Sequence, residues 1–266
     1  MRVFFVGDVV GRPGRSALAR ALPSLRKRFE SFDFIVVNCE NAASGKGMTE
    51  KVMDELLTLG VDGMTSGNHI WDKNIFYPIL ASETRVLRPA NYPSGTPGAG
   101  YTILGRNGKR IGLLNIQGRA FMPPIDCPFK AADAALLELE KEKGAPAQPL
   151  PVLVDFHAEA TSEKKALALY LDGRVSALVG THTHVQTADE QVLPGGSAYI
   201  SDVGMTGGHG GIIGVNPETV MSRFLACMPT KHEVCDIDPR INAVVIDIDD
   251  ASGRAVDIVR VNEPAS

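Results

Sequence analysis

Five short apolar runs in this chain each break off directly into residues that bind metals or carry protons, and that repetition constrains the fold most. Arg2–Val6 runs into Gly7-Asp8, and Phe34–Val37 into Asn38-Cys39-Glu40-Asn41. Val61–Ser66 runs into Gly67-Asn68-His69, and Pro151–Val154 into Asp155-Phe156-His157. The fifth, Val175–Val179, opens into Gly180-Thr181-His182-Thr183-His184. Apolar runs of this length bounded by turn residues read as buried strands. Strands buried in this way belong to α/β sheets, whose ligands gather at the carboxyl edge.

His182 and His184 spend two of the six histidines only two residues apart. In an extended loop, side chains at i and i+2 share a side, so both imidazoles are expected to face one centre. Alone, the pair suits a metal site and two hydrogen-bonded loop histidines equally well. The other strand ends shift that balance, because they bring Asp8, Glu40, Asn41, Asn68, His69 and His157 toward the same rim. Mixed oxygen and nitrogen donors suit Mn, Fe, Zn or Ni better than Ca or Mg. The set also exceeds what one tetrahedral ion needs. Two ions sharing a carboxylate account for the surplus.

These blocks resemble the calcineurin-like metallophosphoesterases, in the family's own order: Gly7-Asp8, Asn38-Cys39-Glu40-Asn41, Gly67-Asn68-His69, His157 and Gly180-Thr181-His182-Thr183-His184. Asp202-Val203-Gly204-Met205-Thr206-Gly207 looks like a further block of one bacterial branch, the YmdB-like 2′,3′-cyclic-nucleotide phosphodiesterases. Two features depart from the wider superfamily. Its Asp-x-His is here Asp8-Val9-Val10, and its bridging Asp is here Glu40. The YmdB-like branch shares both.

The resemblance implies a four-layer α/β/β/α sandwich of two mixed sheets and two transition-metal ions per chain, Fe or Mn first and Zn as an alternative. It implies that Glu40 bridges the ions. Asp8, Asn41 and His184 would complete the first ion, with Asn41 replacing the missing nitrogen ligand, and Asn68, His157 and His182 the second. His69 is implied to be the general acid, protonating the leaving oxygen; a positioned acid is worth about 10²–10⁴-fold in rate. The expected activity is hydrolysis of small cyclic nucleotides or related phosphoesters. A non-catalytic metal-binding regulator associated with RNA metabolism is the competing reading. A structural metal site would be closed by protein on every side; His69 beside the ligands and the nearby Gly-rich loops favour catalysis. Each histidine ligand must be neutral to bind, so metal affinity is expected to weaken below the ~6.5 reference pKa of imidazole.

Composition fits a single domain spanning 1–266, a length that can bury a large core. The net charge of −4 gives no strong grip on nucleic acid or membrane. No apolar run approaches the ~18 residues of a membrane span. The N-terminus lacks a secretory layout, and the four cysteines form no Cys-x-x-Cys pair. The expected compartment is the cytoplasm, the expected partner a small phosphoester; homo-oligomerisation stays open. Cys39 reads as core packing.

Helices are expected over Pro13–Arg28, from Thr49 to Gly60, and over Trp71–Leu80, Phe129–Lys143 and Ser162–Leu171. A hairpin is expected around Asn107-Gly108. Antiparallel strands are expected at Gln191–Leu193, Ser197–Ile200, Ile241–Ile248 and Arg254–Val261, and Ala145–Pro151 reads as a Pro-rich connector. Gly11–Ser16 and Ala42–Gly47 both fail the phosphate-loop pattern, and no Gly-x-Ser-x-Gly elbow exists. Asp72 is placed either to orient His69 or on a helix surface. Gly207 and His209 sit in a Gly-rich stretch read as a mobile loop, either a cover over substrate or a plain flexible turn. His232 is read as an exposed residue without a role.

Overall fold

Period-two alternation sorts the strand side chains onto two faces, and that sorting decides how the layers stack. The computed structural model describes residues 1–144, 149–231 and 233–265, so His232 and part of the 145–151 connector lie outside the described residues. In chain order the first part holds β1 (Arg2–Val6), β2 (Asp8–Val9), α1 (Gly11–Arg28), β3 (Phe34–Asn38), α2 (Glu50–Thr58), β4 (Gly63–Thr65) and α3 (Tyr77–Ser82). The second holds β5 (Tyr101–Arg106), β6 (Lys109–Gln117), α4 (Pro128–Glu142), β7 (Val152–His157), α5 (Thr161–Leu171), β8 (Ala177–Thr181), β9 (Gln191–Val192) and β10 (Ala198–Ile200). The chain then returns through β11 (Met205–Gly208), α6 (Pro217–Ala226), β12 (Pro239–Ile248) and β13 (Ala255–Pro264).

One mixed sheet runs β2-β11-β12-β1-β3-β4 with β13 on β12, and the other runs β5-β6-β7-β8-β10-β9. Val3, Phe5, Phe34, Val36, Val244 and Ile246 turn inward to meet Leu113, Leu153, Val179 and Ile200 between the sheets. Their alternates Phe4, Val6, Ile35 and Val37 pack outward with Leu18, Leu22, Leu25, Val52 and Leu56 of α1 and α2. On the far side Val154, Phe156 and Leu178 pack under Ala132, Ala135 and Leu139 of α4 and Leu167 and Leu171 of α5. These three apolar layers make the expected four-layer α/β/β/α sandwich. Cys39 lies in the outer core beside α1 and α2, where burial pushes its thiol up. That is the packing role expected of it.

The parallel neighbours β1, β3 and β4 in one sheet, and β6, β7 and β8 in the other, end toward a common rim. Toward that rim the layer between the sheets changes from apolar to polar. Asn38, Thr65, Asp155 and Thr181 are all fully buried, on the strands that carry Val36, Gly63, Leu153 and Val179 two residues earlier.

Three local expectations are corrected. Trp71–Leu80 is two 3₁₀ turns (Asn68–Asp72 and Asn74–Phe76) followed by α3, because Lys73 is extended and Pro78 sits in the first turn of its own helix. Ser197–Ile200 becomes β10, parallel to β8 and antiparallel only to β9. Only part of the Gly-rich stretch is loop, with residues 209–211 in a turn. Met205–Gly208 forms the buried strand β11, paired with β2 and β12.

Candidate metal centre

Each sheet contributes half of the centre. Asp8, Glu40, Asn41 and Asn68 follow β1, β3 and β4, while His157, His182 and His184 end or follow β7 and β8. Glu40 Oε1 lies 3.1 Å from His157 Nε2, and the same ring nitrogen lies 3.0 Å from His182 Nδ1. Glu40, His157 and His182 present their ligand atoms within 4.8 Å of one another. Asp8 Oδ1 stands 3.9 Å from His157 Nδ1 and 4.0 Å from His184 Nε2. The rings of His182 and His184 therefore face different partners rather than one centre. β8 ends at Thr181, and both histidines adopt left-handed backbone conformations, φ 99° and 64°. The extended continuation expected from the sequence is absent.

Such conformations cost about 1–3 kcal/mol each and persist only where surroundings enforce them. Here the turn is pinned three times. The His182 N–H donates to Asp8 Oδ2 at 3.2 Å, and the Thr183 N–H to Asp202 Oδ2 at 3.1 Å. The ring Nδ1–H of His184 donates to the Ile213 carbonyl at 2.9 Å. That bond directs Nε2 toward Asp8 and fixes the tautomer a metal ligand needs.

The donor chemistry fits a pair of cations. Asp8 Oδ1, Asn41 Oδ1 and Asn68 Oδ1 are buried acceptor atoms without a hydrogen-bond partner among the described residues. Buried polar atoms are almost always paired, and these three oxygens all belong to the set nominated for metal binding. Their side chains are otherwise held: Asn41 Nδ2 donates to the Gly45 carbonyl at 3.0 Å. A pair of ions would draw on Asp8, Asn41 and His184 at one position and on Asn68, His157 and His182 at the other, with Glu40 between them.

The buried groups set one another's charge. Burial works against charge on His157, yet Glu40, Asp8 and Asp155 override it and lift the imidazole to about 9. His182 is driven the other way, to about 3, by burial and then by the charge on His157. Glu40 resists its own burial through His157 and His69 and falls to about 2. Burial raises Asp8, against the pull of His184 and His157.

Beneath the ligands lies a network that no sequence motif announced. His157 Nδ1 meets Thr181 Oγ1 at 2.9 Å, and that hydroxyl donates to Asp155 Oδ1 at 2.7 Å. Asp155 also accepts from Asn38 Nδ2 and Thr65 Oγ1, and burial lifts it to about 6. His182 Nε2 faces Glu159 Oε2 at 3.3 Å. Gly67 completes the assembly by approaching His157 closely: a Cβ there would fall 2.1 Å from the imidazole Cδ2.

His69 stands on the wall of an open cleft of about 280 Å³, lined also by Glu40, Asn41, Lys46, Glu159 and His184. Its main-chain N–H donates to Glu40 Oε2 at 2.9 Å, and its Nδ1 meets Asp72 Oδ2 at 3.0 Å. Asp72 thus orients His69 and is no idle surface acid. Gly207 and His209, the candidate substrate loop, are absent from the cleft wall. Gly207 is buried in β11, and His209 turns its Nε2 back to the Met205 carbonyl at 3.0 Å. Ile213 and Val215, a few residues later, line the cleft instead.

Two stacked mixed sheets with carboxylates, amides and imidazoles gathered at their common rim define the metallophosphoesterase class of hydrolase fold. Within that class, the YmdB-like protein model matches residues 4–261, and the chain belongs to this family. It is 48% identical to a 2′,3′-cyclic-nucleotide 2′-phosphodiesterase of Bacillus subtilis, over 98% of this chain and 96% of that one. A Thermus thermophilus crystal structure, titled a hypothetical protein, superposes with a TM-score of 0.89 at 44% identity, covering 99% of both chains. A Mycoplasma pneumoniae crystal structure, titled a novel phosphatase, gives 0.88 at 32%, covering 99% of this chain and 94% of that one.

Proposed function

We propose that this chain is a dinuclear-metal-dependent phosphodiesterase that hydrolyses 2′,3′-cyclic nucleotides and related small phosphodiesters. One observation carries the reading: Glu40, His157 and His182 bring ligand atoms within 4.8 Å of one another beside an open cleft with His69 on its wall, while Asp8 Oδ1, Asn41 Oδ1 and Asn68 Oδ1 have no hydrogen-bond partner among the described residues. The B. subtilis relative is named for this activity, and the M. pneumoniae structure is titled a phosphatase. The mixed oxygen and nitrogen donors favour Fe or Mn, with Zn as the alternative.

Held by these residues, such ions would supply Lewis acidity, lowering the pKa of a coordinated water and offsetting charge on the phosphate oxygens. The chain's own residues do the rest. Asp72 accepts from His69 Nδ1–H and turns Nε2 outward, where it donates a proton to the departing ribose oxygen. Asp155, through Thr181, holds His157 in one orientation, and Glu159 does the same for His182. The cleft leaves the ligands reachable, which argues against a closed, purely structural site. Among the described residues no helix is long and apolar enough to cross a membrane, and residues 1–266 are read as one working domain.

Metal analysis of the purified protein, paired with assays on 2′,3′-cyclic AMP, phosphomonoesters and linear diesters, tests the reading. Two ions per chain and turnover of the cyclic diester are expected. A fully loaded protein inert toward all three substrate types would overturn it.

A further inference from the structure

Glu40 and Glu159 line the cleft, and Asp8 lies buried against the ligands, yet the expected substrate is an anion. Lys46 is the one Lys or Arg on the described lining. It sits on the turn Ala42–Gly47, which the sequence excluded as a phosphate loop and which has no other assigned role.

Hydrogen bonds tie that turn to two of the proposed ligands, Glu40 and Asn41. The Asn41 carbonyl accepts from the Gly45 N–H at 3.1 Å, and Asn41 Nδ2 donates back to the Gly45 carbonyl. The Gly47 N–H closes onto the Glu40 carbonyl. Gly45 and Gly47 have φ +90° and +74°, a backbone that glycine adopts freely. Lys46 stands directly between these two glycines, so its root is held relative to Glu40 and Asn41. No ion pair engages Lys46 among the described residues, although lysines elsewhere in the chain, such as Lys109 and Lys164, meet carboxylates.

We propose that Lys46 is a substrate-binding residue whose ammonium group holds a non-bridging phosphate oxygen. The proposal rests on the reading of the cleft as a phosphoester site. A lysine suits the task as a compact point charge with three donors. The charge on a non-bridging oxygen is present in ground state and transition state alike, so the contribution of Lys46 falls on binding more than on turnover.

The experiment uses metal-loaded wild type, Lys46→Ala and Lys46→Arg. Inorganic phosphate is titrated calorimetrically, and KM and kcat are measured on 2′,3′-cyclic AMP. Lys46→Ala should weaken phosphate binding and raise KM about tenfold, roughly the worth of one charge-assisted hydrogen bond. Its kcat should stay within about threefold of wild type and its metal content unchanged, with Lys46→Arg recovering most of the loss. Unchanged phosphate affinity and KM in Lys46→Ala would overturn the proposal, as would loss of the ions, which would assign Lys46 to the metal shell. If wild type ignores cyclic nucleotides, the functional reading falls, and the phosphate titration still decides the role of Lys46.

Discussion

The Lys164 ammonium and the Asp202 carboxylate meet at 2.7 Å with essentially no access to solvent. Asp202 accepts twice more, from the Thr183 N–H and from the Gly204 N–H at 2.8 Å. The pair therefore anchors the strained His182–His184 turn from below. Lys164→Met leaves a buried carboxylate unpaired and should cost about 3–5 kcal/mol, read as a lower urea midpoint of the metal-free protein. An unmoved midpoint would show that Asp202 needs only its backbone donors.

His69 and Asp72 form the second testable pair. His69→Ala should keep both ions and lose about 10²–10⁴-fold in rate on ribose leaving groups. The loss should be much smaller with nitrophenolate, which departs without a proton. Asp72→Asn should follow the same pattern more weakly, since it disturbs orientation and leaves the imidazole in place. Equal losses on both kinds of substrate would remove His69 from the acid role.

Ligand and supporting roles separate by metal content. Glu40→Ala should abolish metal occupancy and activity together. Glu159→Gln leaves every proposed ligand intact and alters only the partner of His182 Nε2, so metal affinity should fall about 10–100-fold. Competitive chelator titration reads this directly. Wild-type affinity in Glu159→Gln would show that the 3.3 Å contact does not orient the ring.

In the metal-free protein His157 titrates near 9, above the ordinary histidine value of 6.5. A raised folded pKa gives stability that is complete below about 6.5 and lost as pH climbs through 9. The metal-free protein should therefore unfold more easily at about pH 9 than at about pH 6.5. Metal binding must displace that proton, so apparent affinity should begin to fall near pH 9 on acidification, well above the range expected from a free imidazole. Thermal melts and chelator titrations across roughly pH 6–10 check both trends. Flat profiles would mean that His157 carries no extra proton when the ions are absent.

The residues proposed as metal ligands could be read as one group because each ends, opens or follows a strand, and strand ends in an α/β fold share a rim. Asp155 and Thr181 could not, although both lie inside the quoted blocks. Their role comes from cross-strand register (His157 opposite Thr181, Asp155 opposite Val179), which one strand's sequence does not reveal. The Gly204–Gly211 stretch misled for a physical reason. Its glycines serve close packing, as at Gly208, where a Cβ would fall 2.2 Å from the Cys235 carbonyl oxygen. Helix α6 went unread even though Asn216-Pro217 opens it by the usual rules, with the Asn216 side chain accepting from the Glu218 N–H at 3.0 Å.

Because Asp8, Glu40, Asn41 and Asn68 open or follow strands of one sheet and His157, His182 and His184 end or follow strands of the other, the proposed ion pair would be a clasp across the seam between them. Below the seam, apolar side chains hold the halves together; at the rim, carboxylates, amides and imidazoles face one another. Occupancy should therefore be felt as cohesion, worth about 4 kcal/mol when free metal exceeds its dissociation constant a thousandfold. Hydrogen exchange should slow most at the carboxyl ends of β3, β4, β7 and β8 on loading and quicken there on chelation. Slowing spread evenly through the chain would mean that the ions fasten the fold as a whole. On the clasp picture, the edge that does the chemistry is also the edge along which the empty protein comes apart first.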